Sequence, residues 1–573
     1  MSSRDQSTYA FLGNLLSRYD EISTYCLSPE LSKVVLKASI ADLDGPISEI
    51  QNEVDLLRKA AASLEMKMAR LKDISCDNRA ALSPIRRLCT EILAEIFHWI
   101  PMELHNSTDD CPSHYVHGFN VFKTSEGPWY LGQVCRSWRN AVQFFCPEIW
   151  STLKIACPLN PEDITVAAPT KGMVPLLNQV LEHGRNHHLD FFFVSYLHGT
   201  EDSNEIVEPQ EVTHCFDLLL KHSKRCGNVE LKLDPFYVPR LSHIRGKADR
   251  LEKVHLMCIP DAMPGTMDAF KIARKLKVLS LVGMHAEADI PFPKANLSYF
   301  SDARPLPGHN TVGDCRNIIA SAPDLESFSY HHYNSTIMES PGANHPQIVH
   351  QSLRVLSTSL GPLIDSLTVP GLLRVTASSR TIWSALFDCP RDTLSRIYNL
   401  VLRSECSLTV LNFDGAVMDD NLLPILRLSP RLHTLHFSWT TTPKESDVAM
   451  KSLFLDMSRT VCVGDDIHHM LLPRLEVLTL SISDVESDTV DFLNNDFVGM
   501  VASRCAICPR ILNIVDINVK RRGFHMPFMD DNGSGFERLK RLEVHGLMLC
   551  LNLYDSDEYS SEESMSISDS EDG

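Results

Sequence analysis

The segment 82–155 contains two apolar patterns separated by a polar insert at 102–128. The first is Leu82-Ser-Pro-Ile-Arg-Arg-Leu-Cys-Thr-Glu-Ile-Leu-Ala-Glu-Ile-Phe-His-Trp-Ile-Pro101, and the second is Trp129-Tyr-Leu-Gly-Gln-Val-Cys-Arg-Ser-Trp-Arg-Asn-Ala-Val142. In each, apolar residues recur at three- and four-residue steps, which predicts an apolar stripe on one helix face. The first helix is expected to begin near Thr90 and stop at Pro101. Pro147 is expected to end the second and let Ile149 and Trp150 fold back onto it. Three such helices enclose a small core and leave apolar surface, which is typical of partner binding.

A heptad pattern lies just upstream. Its apolar residues alternate three- and four-residue steps, as a and d positions do: Ile47, Ile50, Val54, Leu57, Ala61, Leu64, Met68 and Leu71. Gly45-Pro46 is a start signal, so the helix is predicted at 46–80, after a polar segment 1–45. This seam either dimerises the protein as a coiled coil or packs on its own chain. In a parallel pair Glu53 and Arg58 would attract, whereas Lys67 and Lys72 would repel.

The region 170–553 repeats a hexad of the form apolar-x-x-apolar-x-apolar. Clear copies begin at Leu251, Leu276, Leu325, Leu408, Leu432 and Leu475, and weaker copies span Cys226–Leu231, Ile364–Val369, Leu512–Ile517 and Leu539–Val544. The last two apolar positions alternate as a strand facing a core requires, and helix-like segments at 174–181 and 497–501 precede some copies. The pattern favours a degenerate leucine-rich-repeat solenoid, interrupted by insertions. An irregular α/β domain with parallel strands stays open as the alternative.

The segment 82–155 resembles an F-box, whose pattern is Leu-Pro-x-Glu-Ile-Leu-x-x-Ile-Phe, a turn, Val-Cys-x-x-Trp-Arg and a closing Leu-Trp. Glu91 and Arg139 match this pattern, together with the residues given below. Cys89 stands where the family has proline, and the insert is longer than the usual turn. With the heptad helix and the repeats, the chain is similar to fungal F-box proteins. The resemblance implies that the segment binds the Skp adaptor of a cullin–RING ubiquitin ligase through Leu88, Ile92, Leu93, Ile96, Phe97, Val134, Cys135, Trp138 and Trp150. A helical hairpin with a chance match is the alternative.

Composition agrees with an intracellular interaction protein. The 573 residues are 44% hydrophobic, and no apolar leader or run of 18 apolar residues suggests export or a membrane span. The 17 cysteines are scattered among hydrophobes, as reduced thiols are in the cytoplasm or nucleus. A net charge of −19 disfavours general nucleic-acid binding. The acidic tail 554–573 is expected to be disordered, and its serines, such as Ser560 and Ser566, are either kinase sites or part of a solubilising tail.

Motifs for chemistry are sparse. The sequence has no phosphate-binding loop, dinucleotide fingerprint, zinc-protease motif or nucleophile elbow, so we expect no catalytic residue and no cofactor. Cys505-Ala-Ile-Cys508 has zinc-ligand spacing but ends an apolar helix pattern, which favours a core role. Cys111, His114 and His117, with His105, Asp109 and Asp110 nearby, offer metal ligands or belong to a surface loop. Lys520-Arg-Arg522 is either an import signal or a solvated strand end. No metal site is predicted.

The sequence therefore predicts an α/β protein: an N-terminal helical segment and a three-helix F-box, followed by a leucine-rich-repeat-like solenoid. Its expected function is substrate recognition in a cullin–RING ubiquitin ligase of the SCF type, with the Skp-family adaptor and an unknown protein substrate as partners and a homodimer as a further possibility. The alternative is a scaffold that dimerises through the heptad helix without any ligase. A hydrolase or metalloenzyme is the least favoured class.

Overall fold

The computed structural model describes residues 29–82, 84–100, 118–156, 172–195, 210–258, 266–284, 288–304, 311–331, 346–378, 389–439, 443–463, 466–482, 490–506, 511–519, 526–544 and 546–553. The chain divides between Cys89 and Thr90 into two compact units. The first unit contains one long helix, α1 (Pro29–Leu82), and a 3-10 turn at Pro84–Arg87.

The predicted start of α1 at Pro46 is wrong, because the helix begins at Pro29 and continues through Pro46. A proline inside a helix removes one backbone hydrogen bond but keeps a helical φ. Ile40 and Leu43 before it continue the spacing of Ile47 and Ile50 after it. The same apolar face therefore extends on both sides of the proline, and the helix spans both.

The second unit alternates helices and strands. Its helices are α2 (Thr90–His98), α3 (Gly127–Val134), α4 (Arg136–Phe145), α5 (Met173–His183), α6 (Gln210–Lys221), α7 (Thr311–Ser321), α8 (Gly361–Asp365), α9 (Thr393–Ser404), α10 (Leu422–Arg427), α11 (Asp447–Ser458), α12 (Asn495–Ala506) and α13 (Asp530–Val544). Its strands are β1 (Phe119–Asn120), β2 (Thr152–Ala156), β3 (Leu189–Val194), β4 (Cys226–Leu233), β5 (Lys253–Cys258), β6 (Val278–Val282), β7 (Tyr299–Ala303), β8 (Ser327–Tyr330), β9 (Ile348–Val349), β10 (Val355–Thr358), β11 (Leu367–Thr368), β12 (Arg374–Ser378), β13 (Val410–Asp414), β14 (Thr434–Trp439), β15 (Thr460–Val463), β16 (Asp466–His469), β17 (Val477–Ile482), β18 (Ile514–Val519) and β19 (Met548–Leu553).

Fifteen of these strands form one sheet, and each pairs in parallel with the next of them along the chain. Strands β9 and β11 pair with each other, as do β15 and β16. A doubly wound sheet reverses its strand order at a switch point. The order of the fifteen described strands does not reverse. The protein is thus a mixed α/β chain with a long N-terminal helix and a parallel sheet of many strands.

Two rows of side chains on one face of the sheet form the core. The first row is apolar and buried from Leu153 in β2 to Val515 in β18. The second row is equally buried but contains polar side chains in β7, β8 and β10, namely Asp302, Tyr330 and Thr358. Between the two rows, alternate residues point to the opposite face. There they form a mainly polar row that includes Ser280, Ser301, Ser329, Ser357, Thr376 and Asn412.

The hexad pattern located the strands accurately. In each of the six clear copies a strand begins two residues after the first leucine, as β5 does after Leu251 and β17 does after Leu475. The helix-like segments 174–181 and 497–501 are also confirmed as parts of α5 and α12. Strands of the same sheet that the hexads missed include β2, β3, β7, β10, β12 and β19.

Two weaker hexads are wrong. Ile364–Val369 spans the end of α8 and β11, which belongs to a two-stranded sheet outside the main one. Leu539–Val544 is the last part of α13, and the strand follows at Met548. In both segments the apolar spacing fits helix and strand alike, and neighbouring residues decide which forms.

Candidate functional site

Helices α2 and α4 form the core of the segment 82–155. Helix α2 begins at Thr90, as predicted, and ends at His98, before the proline that was expected to stop it. Leu93 and Phe97 are buried, and the Phe97 ring lies 4.9 Å from the half-buried ring of Trp138 in α4. The Cys146 thiol contacts the Ala94 carbonyl at 3.9 Å, and burial, with a smaller contribution from Glu148, raises the pKa of this thiol to about 11. Cys146 is therefore a neutral core residue and not a nucleophile.

Trp150 is a buried residue that contacts several parts of the segment. A 3-10 turn at Pro147–Trp150 folds the chain back, as predicted, and the indole N–H donates to the Val142 carbonyl of α4 at 2.9 Å. Its ring contacts the rings of Trp129 at 5.0 Å and His183 in α5 at 4.8 Å. Trp150 is 2% exposed, so it is a core residue of the segment and not one of its exposed side chains.

The second predicted helix is interrupted at Cys135. This residue is extended, with φ −163° and ψ 172°, and separates α3 from α4. The Cys135 carbonyl accepts the Arg139 N–H at 2.9 Å and so begins α4. The Arg139 side chain donates to the Gly132 carbonyl at 2.9 Å, which satisfies an acceptor that the interruption leaves at the end of α3. The apolar spacing on both sides of Cys135 had suggested one continuous helix.

Part of the predicted insert belongs to the sheet. Strand β1 pairs in parallel with β2, with Phe119 opposite Leu153, and Phe119 is fully buried. The backbone at Gly118 lies so close to β2 that a Cβ there would be 2.6 Å from the Thr152 carbonyl oxygen. The sheet therefore begins inside the segment 82–155. Phe119 had no periodic neighbours in the sequence to indicate this role.

The three helices carry a set of exposed apolar side chains, which we call the apolar surface. Of the predicted adaptor-binding residues, Ile92 and Val134 are 49% and 47% exposed, and Ile96, Cys135 and Trp138 are half-buried. Leu88 is half-buried after the 3-10 turn of the first unit. Sequence reasoning missed four further members, which are 51 to 80% exposed: Trp99, Tyr130, Phe144 and Phe145. In the sequence, the only indication of these four residues was that large apolar side chains occur at helix positions that do not belong to the buried stripe.

The heptad residues of α1 are exposed as well. Ile47, Leu57, Leu64, Met68 and Leu71 have exposed fractions of 52 to 66%, and Ile50 and Val54 are half-buried. Leu56 and Met66, which lie off the seam, are 70% and 74% exposed. The predicted adaptor-binding residues and the heptad residues of α1 thus differ in how deeply they are buried. Several of the predicted adaptor-binding residues are buried between α2, α3 and α4, whereas most of the seam residues of α1 are exposed.

The described residues include no group of three or more potential metal ligands. The predicted candidates Cys111, His114 and His117, with His105, Asp109 and Asp110, lie outside the described residues. So do Cys508, the Lys520–Arg522 triplet, the segment 1–28 and the acidic tail. Cys505 is half-buried at the end of α12.

Among the helices that the structure describes, none combines the length and apolar composition needed to cross a bilayer. Compared with known proteins, the chain matches neither a protein-family model nor a curated protein.

Proposed function

We propose that this protein is a substrate-recognition subunit of a cullin–RING ubiquitin ligase. Helices α2 to α4 bind a Skp-family adaptor, and the parallel sheet with its helices, a degenerate leucine-rich-repeat array, binds the protein to be ubiquitinated. Catalysis resides in other subunits. The observation that carries the proposal is the apolar surface, because several large apolar side chains exposed on neighbouring short helices are typical of a partner site.

The geometry of α2 supports a helical partner. Ile92 and Ile96 are four residues apart, so they lie on one face of α2, while Leu93 and Phe97 point into the core. Trp99 directly follows the last residue of α2. On α3, Tyr130 and Val134 share a face in the same way. Residues at such spacing suit a groove between partner helices, where they lose their contact with water.

The sheet supports target binding. Ser280 of its polar row is buried, and the Ser329 and Ser357 hydroxyls contact His331, but the half-buried Ser301, Thr376 and Asn412 offer hydroxyl and amide groups. In repeat arrays of this type each unit adds one strand to a continuous surface. A protein target would contact several strands at once through this row. Side chains that differ between strands, such as His436 in β14 and Asp516 in β18, would then contribute specificity.

The test uses Ile92→Asp in the full-length protein and a purified Skp-family adaptor. Because Ile92 is exposed, the substitution should leave the fold intact and weaken adaptor binding at least tenfold, since it places a charge in an apolar interface. Calorimetric titration measures the affinity, and thermal unfolding checks the fold. The matched control is Ile272→Asp, because Ile272 is 45% exposed but lies outside α2 to α4.

Equal adaptor affinity in the two variants would contradict the assignment of the surface. Absence of binding by the unmodified protein would overturn the proposed function itself. Trp138→Ala is a less direct probe, since the Trp138 ring packs on Phe97 and its truncation also removes core contacts.

A further inference from the structure

The apolar seam of α1 is longer in the structure than the sequence pattern indicated. Because α1 begins at Pro29, Ile40 and Leu43 join the seam one heptad before Ile47. The seam then runs from Ile40 to Leu71, ten positions in five heptads, which exceeds the three to four heptads that a coiled coil needs. At about 1.5 Å per residue, it is roughly 48 Å long.

We propose that α1 forms a parallel, in-register coiled coil with a second copy of this chain. The a positions are Ile40, Ile47, Val54, Ala61 and Met68, and the d positions are Leu43, Ile50, Leu57, Leu64 and Leu71. β-branched residues at a and leucine at d favour two parallel strands over larger assemblies. Three a positions are β-branched and four d positions are leucine.

The exposure of the seam agrees with an intermolecular partner. Along α1, five consecutive d and a residues from Leu57 to Leu71 are all exposed, among them Leu57 at 65% and Leu64 at 64%. Such a row of large apolar side chains is costly in water unless another apolar surface covers it. A second α1 offers the same row with the same spacing.

Charge also favours a second copy. Between Pro29 and Leu82 the sequence has nine acidic and eight basic residues, a net charge of −1, although the whole chain carries −19. Two copies of α1 therefore approach each other with little net repulsion. Arg58 is at an e position and Glu53 is at a g position, so Glu53 of one copy attracts Arg58 of the other in a parallel pair. Within α1, Arg58 Nη1 also lies 3.5 Å from Asp55 Oδ1.

The antiparallel arrangement is less favourable. With Ile40 opposite Leu71 of the other copy, Asp44 would lie opposite Glu65, and Glu53 would no longer lie opposite Arg58. The parallel pair keeps that attraction, although Lys67 and Lys72 repel in it. Pro46 is at a g position, outside the seam, and the spacing on its two sides stays in phase. A parallel pair brings both Leu82 residues, after which each chain continues, to the same end.

The experiment measures the mass of the full-length protein in solution by sedimentation and light scattering. The unmodified protein should have twice the chain mass of 64.5 kDa. Leu57→Glu with Leu64→Glu should halve this mass, since the seam would then bring like charges together. The matched control is Leu56→Glu with Met66→Glu, which adds the same charges to equally exposed positions off the seam and should remain a dimer.

Orientation is tested with Leu71→Cys in a Cys76→Ser background, because Cys76 is an exposed native thiol near the same end. In a parallel pair the two introduced thiols meet, and mild oxidation should link the two chains. In an antiparallel pair they would be tens of ångströms apart. A monomeric unmodified protein, equal masses of the two double variants, or failure of the thiols to link would overturn the proposal. It does not depend on the proposed ligase function, since a dimer that binds no adaptor would contradict only that function.

Discussion

Asp302 is a carboxylate at a position where the neighbouring strand β6 has a large apolar side chain. Its register partner in β6 is Leu281, yet Asp302 is only 4% exposed. Arg304 compensates by donating to the carboxylate from Nη2 at 2.7 Å and from Nε at 2.9 Å, while its Nη1 donates to the Ala288 carbonyl. Burial alone would lower the pKa of Arg304, but the charge and hydrogen bonds of Asp302 outweigh it and raise the pKa. The Arg304 guanidinium therefore keeps its charge beside Asp302.

This ion pair predicts an asymmetry between single and double substitutions. Asp302→Leu removes the carboxylate from a largely buried arginine and should lower the free energy of unfolding by about 3–5 kcal/mol. Asp302→Leu with Arg304→Met replaces the pair with apolar side chains, like the Leu281 that β6 has beside Asp302, and should recover most of that loss. Urea unfolding measures both. A double variant as unstable as the single one would show that the pair has a structural role that apolar packing cannot replace.

Between elements, His331 connects three strands. It follows β8, and its Nδ1 lies 3.3 Å from the carbonyl oxygen of Ser378 in β12. A carbonyl only accepts, so Nδ1 carries the proton and Nε2 accepts from Ser329 at 2.7 Å and from Ser357 in β10 at 3.2 Å. Burial lowers the pKa of His331, against opposing effects of the Ser378 carbonyl, Asp414 and Asp302. The neutral imidazole is thus the form that fits between the strands.

The lowered pKa predicts acid sensitivity. Since the unfolded histidine titrates near pH 6.5 and the folded one titrates lower, the unfolded state binds more protons between the two values. Stability from His331 is then present above pH 6.5 and is lost as the pH falls through the folded pKa. His331→Gln should flatten the dependence of the unfolding free energy on pH below 6.5, whereas the same change at the exposed His243 should not. Identical pH profiles for the two variants would contradict this assignment.

The whole second unit has a one-dimensional arrangement, because each strand of its main sheet pairs only with the strands before and after it. Aromatic side chains reinforce this locally. The rings of Phe413 and Phe437 stack at 5.8 Å across β13 and β14, and Phe437 stacks on Trp439 at 5.6 Å. In such an arrangement stability depends on each strand with its helix and on the neighbouring strands, so a destabilising substitution should act locally.

Phe437→Ala tests this locality. Phe437 is fully buried, and its truncation should cost about 3–5 kcal/mol in the strands that contact it. Hydrogen exchange should accelerate in β13, β14 and β17, while the amides of β3 to β5 keep their protection. Val448→Ala, at a residue that is 78% exposed, is the control and should change neither region. Uniform loss of protection from β3 to β18 would show instead that the sheet unfolds as one cooperative body.

Much of the parallel sheet was predictable because the alternation of buried and exposed side chains along a strand is visible in a few consecutive residues. Each clear hexad fixes which residues face the core, so β5, β6, β8, β13, β14 and β17 follow from the sequence. β7 and β10 escaped because Asp302 and Thr358 occupy the last position of their hexads. Asp302 is paired with Arg304, which lies two residues after the hexad, so the hexad pattern does not include the residue that makes a buried aspartate possible there.

The sequence by itself determined the start of α2 at Thr90, the fold-back at Trp150 and the apolar phase of α1. These depend on residues close together along the chain. Only the tertiary structure decided that Trp150 is buried while Ile92 is exposed, and that Phe119 pairs with β2. The physical reason is that periodicity shows which side chains share a face, whereas coverage of that face depends on distant residues that fold against it.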